Sequence, residues 1–225
     1  MKKIKIRIRN AKIEDIPILL EIDEESWPGF RANNEMFLSR IKVFPEGQFV
    51  AVVDDKIVGS CFTQRINESE WRDRNFSWSE ITDNGLIKKT HRQNGESMYG
   101  VGLAVRKSFR NFTVSQRLII AGIQLAIRLN LKQIFLGSRI PSYHRYPHIP
   151  VEEYIRTLTS SGRLLDPELT LYKKFGGEPI RPLPNYMPDP QSLNFGVLIR
   201  WKNPFYKNPF IKWIAWGLPI FSKYL

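Results

Sequence analysis

The sequence of 225 residues contains a single cysteine, Cys61, which excludes a disulfide or a cysteine-based metal cluster within one chain. It contains no apolar run of about 18 residues, the length that a membrane-spanning helix needs. The amino-terminal segment is charged and lacks the apolar stretch of a secretory signal. Together these absences predict a cytoplasmic, globular protein.

Acidic residues are few: 22 Asp and Glu stand against 34 Lys and Arg, which gives a net charge of +12. Such an excess indicates an anionic partner, either nucleic acid, anionic lipid, a phosphorylated cofactor or an acidic carrier protein. The basic residues are scattered, and no aromatic and basic motif of the RNA-binding kind is present. We therefore expect no nucleic acid as partner.

The hydrophobic pattern predicts strands that alternate with crossover helices. Predicted strands lie at 4–9, 98–105, 133–138 and 194–201. Two further strands within 48–64 are predicted to form a hairpin that turns at Asp54 and Asp55. Predicted helices lie at 11–27, 34–43, 114–130, 151–161 and 168–175. The polar, tryptophan-containing segment 66–96 is predicted to be a long loop or lid. This order predicts an α/β fold, with a mixed sheet and a parallel pair formed by strands 98–105 and 133–138.

Glycine is absent from FRNFTVSQRL (residues 109–118), which joins a predicted strand to a predicted helix. A helix amino terminus in this place attracts phosphate, and glycines normally let the backbone approach it. Asn111 is the non-glycine residue best suited to a left-handed turn. The loop alone is equally typical of a capped core helix without a ligand.

Thr113 leaves two interpretations open. With Gln116 it has the spacing of a capping box, in which its hydroxyl would compete with phosphate for the helix N–H groups. Alternatively, the hydroxyls of Thr113 and Ser115 bind phosphate, and Arg110 supplies counter-charge.

Three features resemble the GNAT superfamily of CoA-dependent acyltransferases. LAVRKSFRNFTVSQRL (103–118) occupies the place of the family's V-x-P-x-x-R-G-x-G-I-G-x-x-L, with non-glycine residues at its three glycine positions. LTLYKKFGGEP (169–179) is similar to the family's L-Y-x-x-x-G-F, with Gly177 in place of the phenylalanine. The element order extends the resemblance over residues 4–200. DPELTLYKKFGG and YMPDPQSLNFGVLIRW further resemble the GNAT-like domains fused to carbon–nitrogen hydrolases and those of polyketide-synthase loading modules.

The resemblance implies a GNAT-like mixed β-sheet flanked by helices on both faces. It implies an acyltransferase that passes the acyl group of acetyl-CoA, or of another acyl-CoA, directly to an amine. Tyr172 lies where the family places the tyrosine that protonates the leaving thiolate. The implied CoA-binding residues are Leu103, Ala104, Val105, Arg110, Asn111, Phe112, Thr113, Val114 and Ser115.

Two other functions fit the same resemblance. One is a GNAT-like decarboxylase or S-acyltransferase that acts on a malonyl-type CoA and an acyl carrier protein. The other is a non-catalytic module that binds CoA or a carrier protein. The partner would accordingly be a small-molecule amine or an acyl carrier protein, besides the acyl-CoA itself.

Histidine is scarce, and two of the three histidines, His144 and His148, lie in the segment 138–165. Histidine titrates near neutral pH, so His148 is a candidate acid or base beside the acceptor cleft. Arg163 is a candidate clamp for a substrate carboxylate. Prolines around His148 argue against the helix that a two-histidine metal site needs, so we expect no metal. The alternative is a surface loop with structural histidines.

The carboxyl-terminal segment 201–225 holds three of the six tryptophans, four lysines and no acidic residue. Aromatic residues mixed with lysine are typical of a membrane interface, and equally of a tail packed on its own domain. We assign 1–201 to a GNAT-like domain with insertions at 66–96 and 138–165. We assign residues 202–225 to an aromatic and basic tail. The protein is then either purely cytoplasmic or associated peripherally with a membrane through this tail.

Overall fold

The computed structural model describes residues 5–110 and 113–208, which form one seven-stranded sheet with helices around it. The strands are β1 Arg7–Asn10, β2 Gln48–Val53, β3 Lys56–Ile66, β4 Ser97–Val105, β5 Gln133–Ser138, β6 Glu178–Leu183 and β7 Gly196–Lys202. The α-helices are α1 Ile16–Ser26, α2 Asn34–Val43, α3 Trp78–Thr82, α4 Val114–Arg128, α5 Val151–Tyr154 and α6 Pro167–Lys174.

The strand order is β1-β2-β3-β4-β5-β7-β6, and the sheet is mixed. Only β4 and β5 pair in parallel among the described strands, and α4 connects them, which confirms the predicted crossover. The predicted hairpin is also confirmed. Its turn residues Asp54 and Asp55 have φ angles of 46° and 59°, the left-handed conformation that a two-residue turn of this kind requires.

The sequence pattern missed one strand, β6, because Pro179 and Pro182 interrupt it. Proline cannot donate to a strand ladder and is therefore confined to sheet edges or bulges. The structure satisfies this rule, since β6 lies at the edge of the sheet and its register with β7 shifts between Pro179 and Arg181.

Other predicted bounds also differ from the structure, since β1 covers Arg7–Asn10 rather than 4–9, and α1 covers Ile16–Ser26 rather than 11–27. Helix α5 ends at Tyr154 rather than at residue 161, and Leu158 then forms an isolated bridge with Leu164. The segment 66–96 contains the short helix α3, which a capping box between Ser77 and Glu80 begins.

Candidate active site

Two irregularities in β4 open the sheet at its centre. The β3–β4 register steps from Thr63–Gly100 to Phe62–Gly102 and so skips Val101, which forms a β-bulge. On the other side, the parallel pairing of β4 with β5 ends at Gly100, although β4 continues to Val105. The second half of β4 therefore presents backbone groups that β5 does not pair.

A cavity of about 420 Å³ occupies the space where β4 and β5 separate. Its lining from α4 and α6 includes Ser115, Ile119, Leu171 and Tyr172, and its lining from α1, α2 and α3 includes Asp23, Arg40 and Trp78. Helices α4 and α6 thus line one part of the cavity, which we call the donor end, and helices α1, α2 and α3 line another part, which we call the acceptor end.

The predicted CoA-binding residues divide into four groups. Leu103, Val105, Arg110 and Ser115 line the cavity. Ala104 and Val114 are buried in the protein interior, and Thr113 is exposed at the start of α4. Asn111 and Phe112 lie outside the described residues.

Thr113 does not cap α4. It stands at the N-cap position with φ −75° and ψ 24°, and its side chain makes no capping hydrogen bond. Gln116, its expected partner, instead accepts a hydrogen bond from Lys174 Nζ at 3.0 Å. The capping-box interpretation is wrong, because that motif needs an extended N-cap backbone to bring the hydroxyl over the helix N–H groups.

Glu168 is a cavity residue that the sequence analysis did not select. It lies four residues before Tyr172 on α6, so both side chains are on the same face of that helix, and both line the cavity. The position of the helix is fixed by Asp166, whose Oδ1 accepts a hydrogen bond from the Glu168 N–H at 2.9 Å. The i, i+4 spacing from Tyr172 was the signal that could have identified Glu168.

Burial raises the pKa of Glu168 to about 7. The neighbouring Arg139 opposes this rise in pKa, while Asp166 and Asp189 add to it. A carboxyl group with such a pKa exchanges a proton readily at neutral pH, as a general base or acid requires.

Tyr172 and Cys61 both keep their protons at neutral pH. Burial raises the pKa of Tyr172, and the charge of Glu168 raises it further. Burial also raises the pKa of the Cys61 thiol to about 12, which leaves almost no thiolate. Cys61 is therefore unsuited to act as a nucleophile, whereas Tyr172 is present as the neutral phenol.

The acceptor end of the cavity contains a buried guanidinium. Arg40 is 3% exposed and donates from Nε to the Gly85 carbonyl at 2.7 Å, while its Nη2 has no hydrogen-bond partner among the described residues. Burial lowers the pKa of Arg40 to about 10, and the charge of Asp23 opposes this. Arg40 therefore remains positive at neutral pH. Trp78, also at this end, donates from Nε1 to the carbonyl of the bulged Val101 at 2.8 Å.

A second guanidinium, that of Arg139, is held rigidly at the cavity wall. Its Nε and Nη2 donate to the two carboxylate oxygens of Asp189 at 2.7 and 2.9 Å, and it stands over the Trp27 ring at 5.3 Å. Such a bidentate pair fixes the orientation of the guanidinium.

The structure does not bring His148 or Arg163 to this cavity. Both side chains are exposed, and neither residue is among those that line it. His144 is also exposed, and its Nδ1 lies 2.9 Å from the Pro141 carbonyl oxygen. The roles of His148 and Arg163 in catalysis stay predictions. The carboxyl-terminal tail beyond residue 208 lies outside the described residues.

Two curated proteins resemble the chain over most of its length, whereas no protein-family model matches it. It is 35% identical over 208 residues to the uncharacterised N-acetyltransferase YkwB of Bacillus subtilis (strain 168), covering 90% of this chain and 91% of YkwB. This chain belongs to the GNAT superfamily of acyltransferases. It is also 37% identical over 205 residues to the probable hydrolase YhcX of the same organism. That match covers 90% of this chain but only 39% of the length of YhcX.

Solved structures agree with this assignment. The loading GNATL domain of CurA from Lyngbya majuscula superposes with a TM-score of 0.80 at 26% identity, over 88% of this chain and 98% of that domain. The GphF GNAT-like decarboxylase, solved in complex with isobutyryl-CoA, superposes with a TM-score of 0.71 at 23% identity, over 88% and 99%. The GNAT fold predicted from the sequence is confirmed. Within residues 5–110 and 113–208, no helix is long and apolar enough to cross a membrane.

Proposed function

We propose that this protein transfers an acyl group directly from an acyl-CoA thioester to a small-molecule amine. The observation that carries the proposal is the cavity at the separation of β4 and β5, with Glu168 and Tyr172 on one of its walls. The relationship to the N-acetyltransferase YkwB supports the reaction class. The isobutyryl-CoA bound by GphF, which shares the fold, supports an acyl-CoA as donor.

In this proposal the CoA lies along β4 and reaches the start of α4. The pantetheine amides pair with the unpaired backbone of β4 around Leu103 and Val105. The pyrophosphate lies at the amino terminus of α4, where the side chain of Thr113 does not cap the N–H groups. Arg110 and Ser115, which line the cavity there, contribute a positive charge and a hydroxyl.

Glu168 and Tyr172 then divide the proton transfers. Glu168, directly or through one water, takes a proton from the amine as its nitrogen bonds to the thioester carbonyl carbon. The carbon–sulfur bond breaks as the tetrahedral intermediate collapses, and the hydroxyl of Tyr172 donates a proton to the departing sulfur. The products are the acylated amine and CoA.

Calorimetry with CoA and acetyl-CoA, followed by assays of CoA release against a panel of amines, tests the proposal. We expect saturable binding and an acylated amine detected by mass spectrometry. A complete lack of CoA binding would overturn the whole proposal. Binding without turnover of any amine would leave the CoA site but defeat N-acyl transfer.

A second candidate, decarboxylation of a malonyl-type CoA, is favoured by the cationic acceptor end. Among the described residues Arg40 Nη2 has no hydrogen-bond partner, so it is the guanidinium nitrogen that would meet a substrate carboxylate, whereas Arg139 in the same cavity is paired with Asp189. Loss of CO₂ leaves its electron pair on the thioester enolate, which then takes a proton at carbon. Incubation with malonyl-CoA and detection of acetyl-CoA tests this candidate, and absence of acetyl-CoA defeats it.

A further inference from the structure

A second cavity, of about 620 Å³, lies on the other face of the sheet. Side chains alternate between faces along a strand. Met98 and Ile134 line the first cavity, whereas their neighbours Tyr99 and Phe135 line the second. No step of the proposed acyl transfer uses this second cavity, which we call the basic aromatic cavity.

Its charge is strongly positive. The cationic residues that line it are Arg72, Lys132, Arg181, Arg200 and Lys202. Against them the lining contributes one carboxylate, Glu68. That carboxylate is already engaged, since it accepts hydrogen bonds from Arg72, Lys132 and Gln133. The lining residues thus leave a positive excess that suits an anionic ligand.

Two hydrogen-bond donors of this cavity are buried without a partner. They are Trp71 Nε1 and Arg200 Nε, for which the described part of the chain offers no acceptor. Arg200 has only a long contact of 3.8 Å from Nη2 to the exposed Glu178. Buried donors in folded proteins are nearly always paired, so these two point to an acceptor that is not among the described residues.

Aromatic rings form the apolar part of the same cavity. Trp71 and Phe76 meet edge to face with centroids 5.5 Å apart, and Phe76 meets Tyr99 in the same way at 6.3 Å. Phe135 and Leu198 complete the apolar lining from β5 and β7. A planar ligand buries its faces against such rings more efficiently than a compact inorganic ion does.

We propose that the basic aromatic cavity binds a small anion with a flat apolar body, such as an aromatic carboxylate. The carboxylate group is held by the cationic wall and by the donors of Trp71 and Arg200, and the ring packs between Phe76 and Phe135. This proposal does not depend on the proposed acyl transfer, because its ligand occupies the opposite face of the sheet.

The test uses the full chain and 2-naphthoate as the probe. The indole N–H signal of Trp71 in a proton–nitrogen correlation spectrum, assigned with W71F, reports directly on the unpartnered donor. We expect it to shift saturably with 2-naphthoate and not with the uncharged 2-naphthalenemethanol. Arg200→Gln should weaken binding about 10-fold, in line with the loss of one charge-assisted hydrogen bond.

Lys202→Gln, a change at an exposed position, keeps the test valid if Arg200→Gln does not fold, and we expect it to weaken binding about 3-fold. Lys107→Gln, on a loop outside this cavity, is the matched control and should leave binding unchanged. A shift that is equal with the uncharged compound, or unaffected by both the Arg200 and Lys202 substitutions, would overturn the proposal. Tyr172→Phe should bind 2-naphthoate normally even if it abolishes acyl transfer.

Discussion

Glu168 and Tyr172 lie one turn apart on the cavity face of α6, and the charge of Glu168 raises the pKa of Tyr172. One helix thus presents a group that accepts a proton near neutral pH and a group that holds its proton firmly. The proposed acyl transfer needs a base for the nucleophile and an acid for the leaving sulfur, and the raised pKa keeps Tyr172 protonated until the transfer.

Glu168→Gln should lower kcat/KM by about 10²-fold or more, the usual contribution of a general base. The wild-type rate should fall as the pH drops below about 7, because Glu168 becomes protonated there. The variant should lack this fall. Glu152→Gln on the exposed side of α5 is the matched control, and a pH profile that Glu168→Gln leaves unchanged would assign the base elsewhere.

The same substitution should stabilise the protein at alkaline pH. The folded-state pKa of Glu168, about 7, lies above its ordinary value of 4.5, so the unfolded chain ionises first as the pH rises. Wild-type stability therefore declines between about pH 4.5 and 7, and this decline is absent in Glu168→Gln. The Tm difference between variant and wild type should be more positive at pH 8 than at pH 4.5. Equal differences at both pH values would contradict the raised pKa.

Tyr172→Phe should reduce kcat by about 10²-fold while changing KM little, because in the proposed mechanism the hydroxyl protonates the leaving sulfur and does not bind the substrate in its ground state. Tyr146→Phe makes the same chemical change in a residue that does not line the cavity. Unchanged activity of Tyr172→Phe would remove its catalytic role, and inactivity of the wild type towards every amine would favour a non-catalytic binding module.

The central elements of the fold were predictable because their patterns are local. The helix 34–43 and the strand 133–138 have the bounds that the sequence pattern predicts. Strand β6 was not predictable in this way, since its prolines are acceptable only at a sheet edge, and edge position depends on the complete topology. The early end of α5 likewise depends on the return of the chain from Leu158 to Leu164.

The residues that contribute backbone groups to the candidate site were predictable from the sequence. The side chains whose chemistry depends on burial were less predictable. Leu103 and Val105 were implied by the resemblance to the GNAT family, and both line the cavity. The i, i+4 spacing from Tyr172 could have placed Glu168 on the same helix face, but its raised pKa comes from burial next to Asp166 and Arg139, which spacing does not reveal. His148 was predicted to be an acid or base because histidine titrates near neutral pH in water. Its side chain is exposed, and it does not line the cavity.

Thr113→Gly tests the remaining role of this hydroxyl. Since the Thr113 side chain does not cap α4, its loss should change Tm little. If the hydroxyl donates to a CoA phosphate, as we expect, the same change should weaken CoA binding about 3- to 10-fold by calorimetry, the value of one hydrogen bond. Tighter binding by Thr113→Gly would show instead that the side chain obstructs the phosphate.

Gly137→Ala should destabilise the protein strongly, because Tyr186 lies directly on Gly137. A Cβ atom at this position would stand 2.1 Å from Tyr186 Cζ. Displacing the ring also breaks the buried hydrogen bond between the hydroxyls of Tyr186 and Tyr99, which are 2.7 Å apart. Overpacking and an unpaired buried hydroxyl together should cost about 2–5 kcal/mol in the free energy of unfolding.

Two comparison variants separate the cost of the steric clash from the cost of the lost hydrogen bond. Tyr186→Phe removes the hydrogen bond without the clash and should cost only about 1–3 kcal/mol, the penalty for removing one buried partner of the Tyr99 hydroxyl. Gly102→Ala adds the same methyl group where nothing lies within 4 Å and should cost less than either. Because Gly137 and Tyr186 both line the active-site cavity, Gly137→Ala should also lower acyl transfer at temperatures where it remains folded. The free energies of unfolding can be measured by denaturant titration. Equal losses of stability in Gly102→Ala and Gly137→Ala would contradict the close packing of Tyr186 on Gly137.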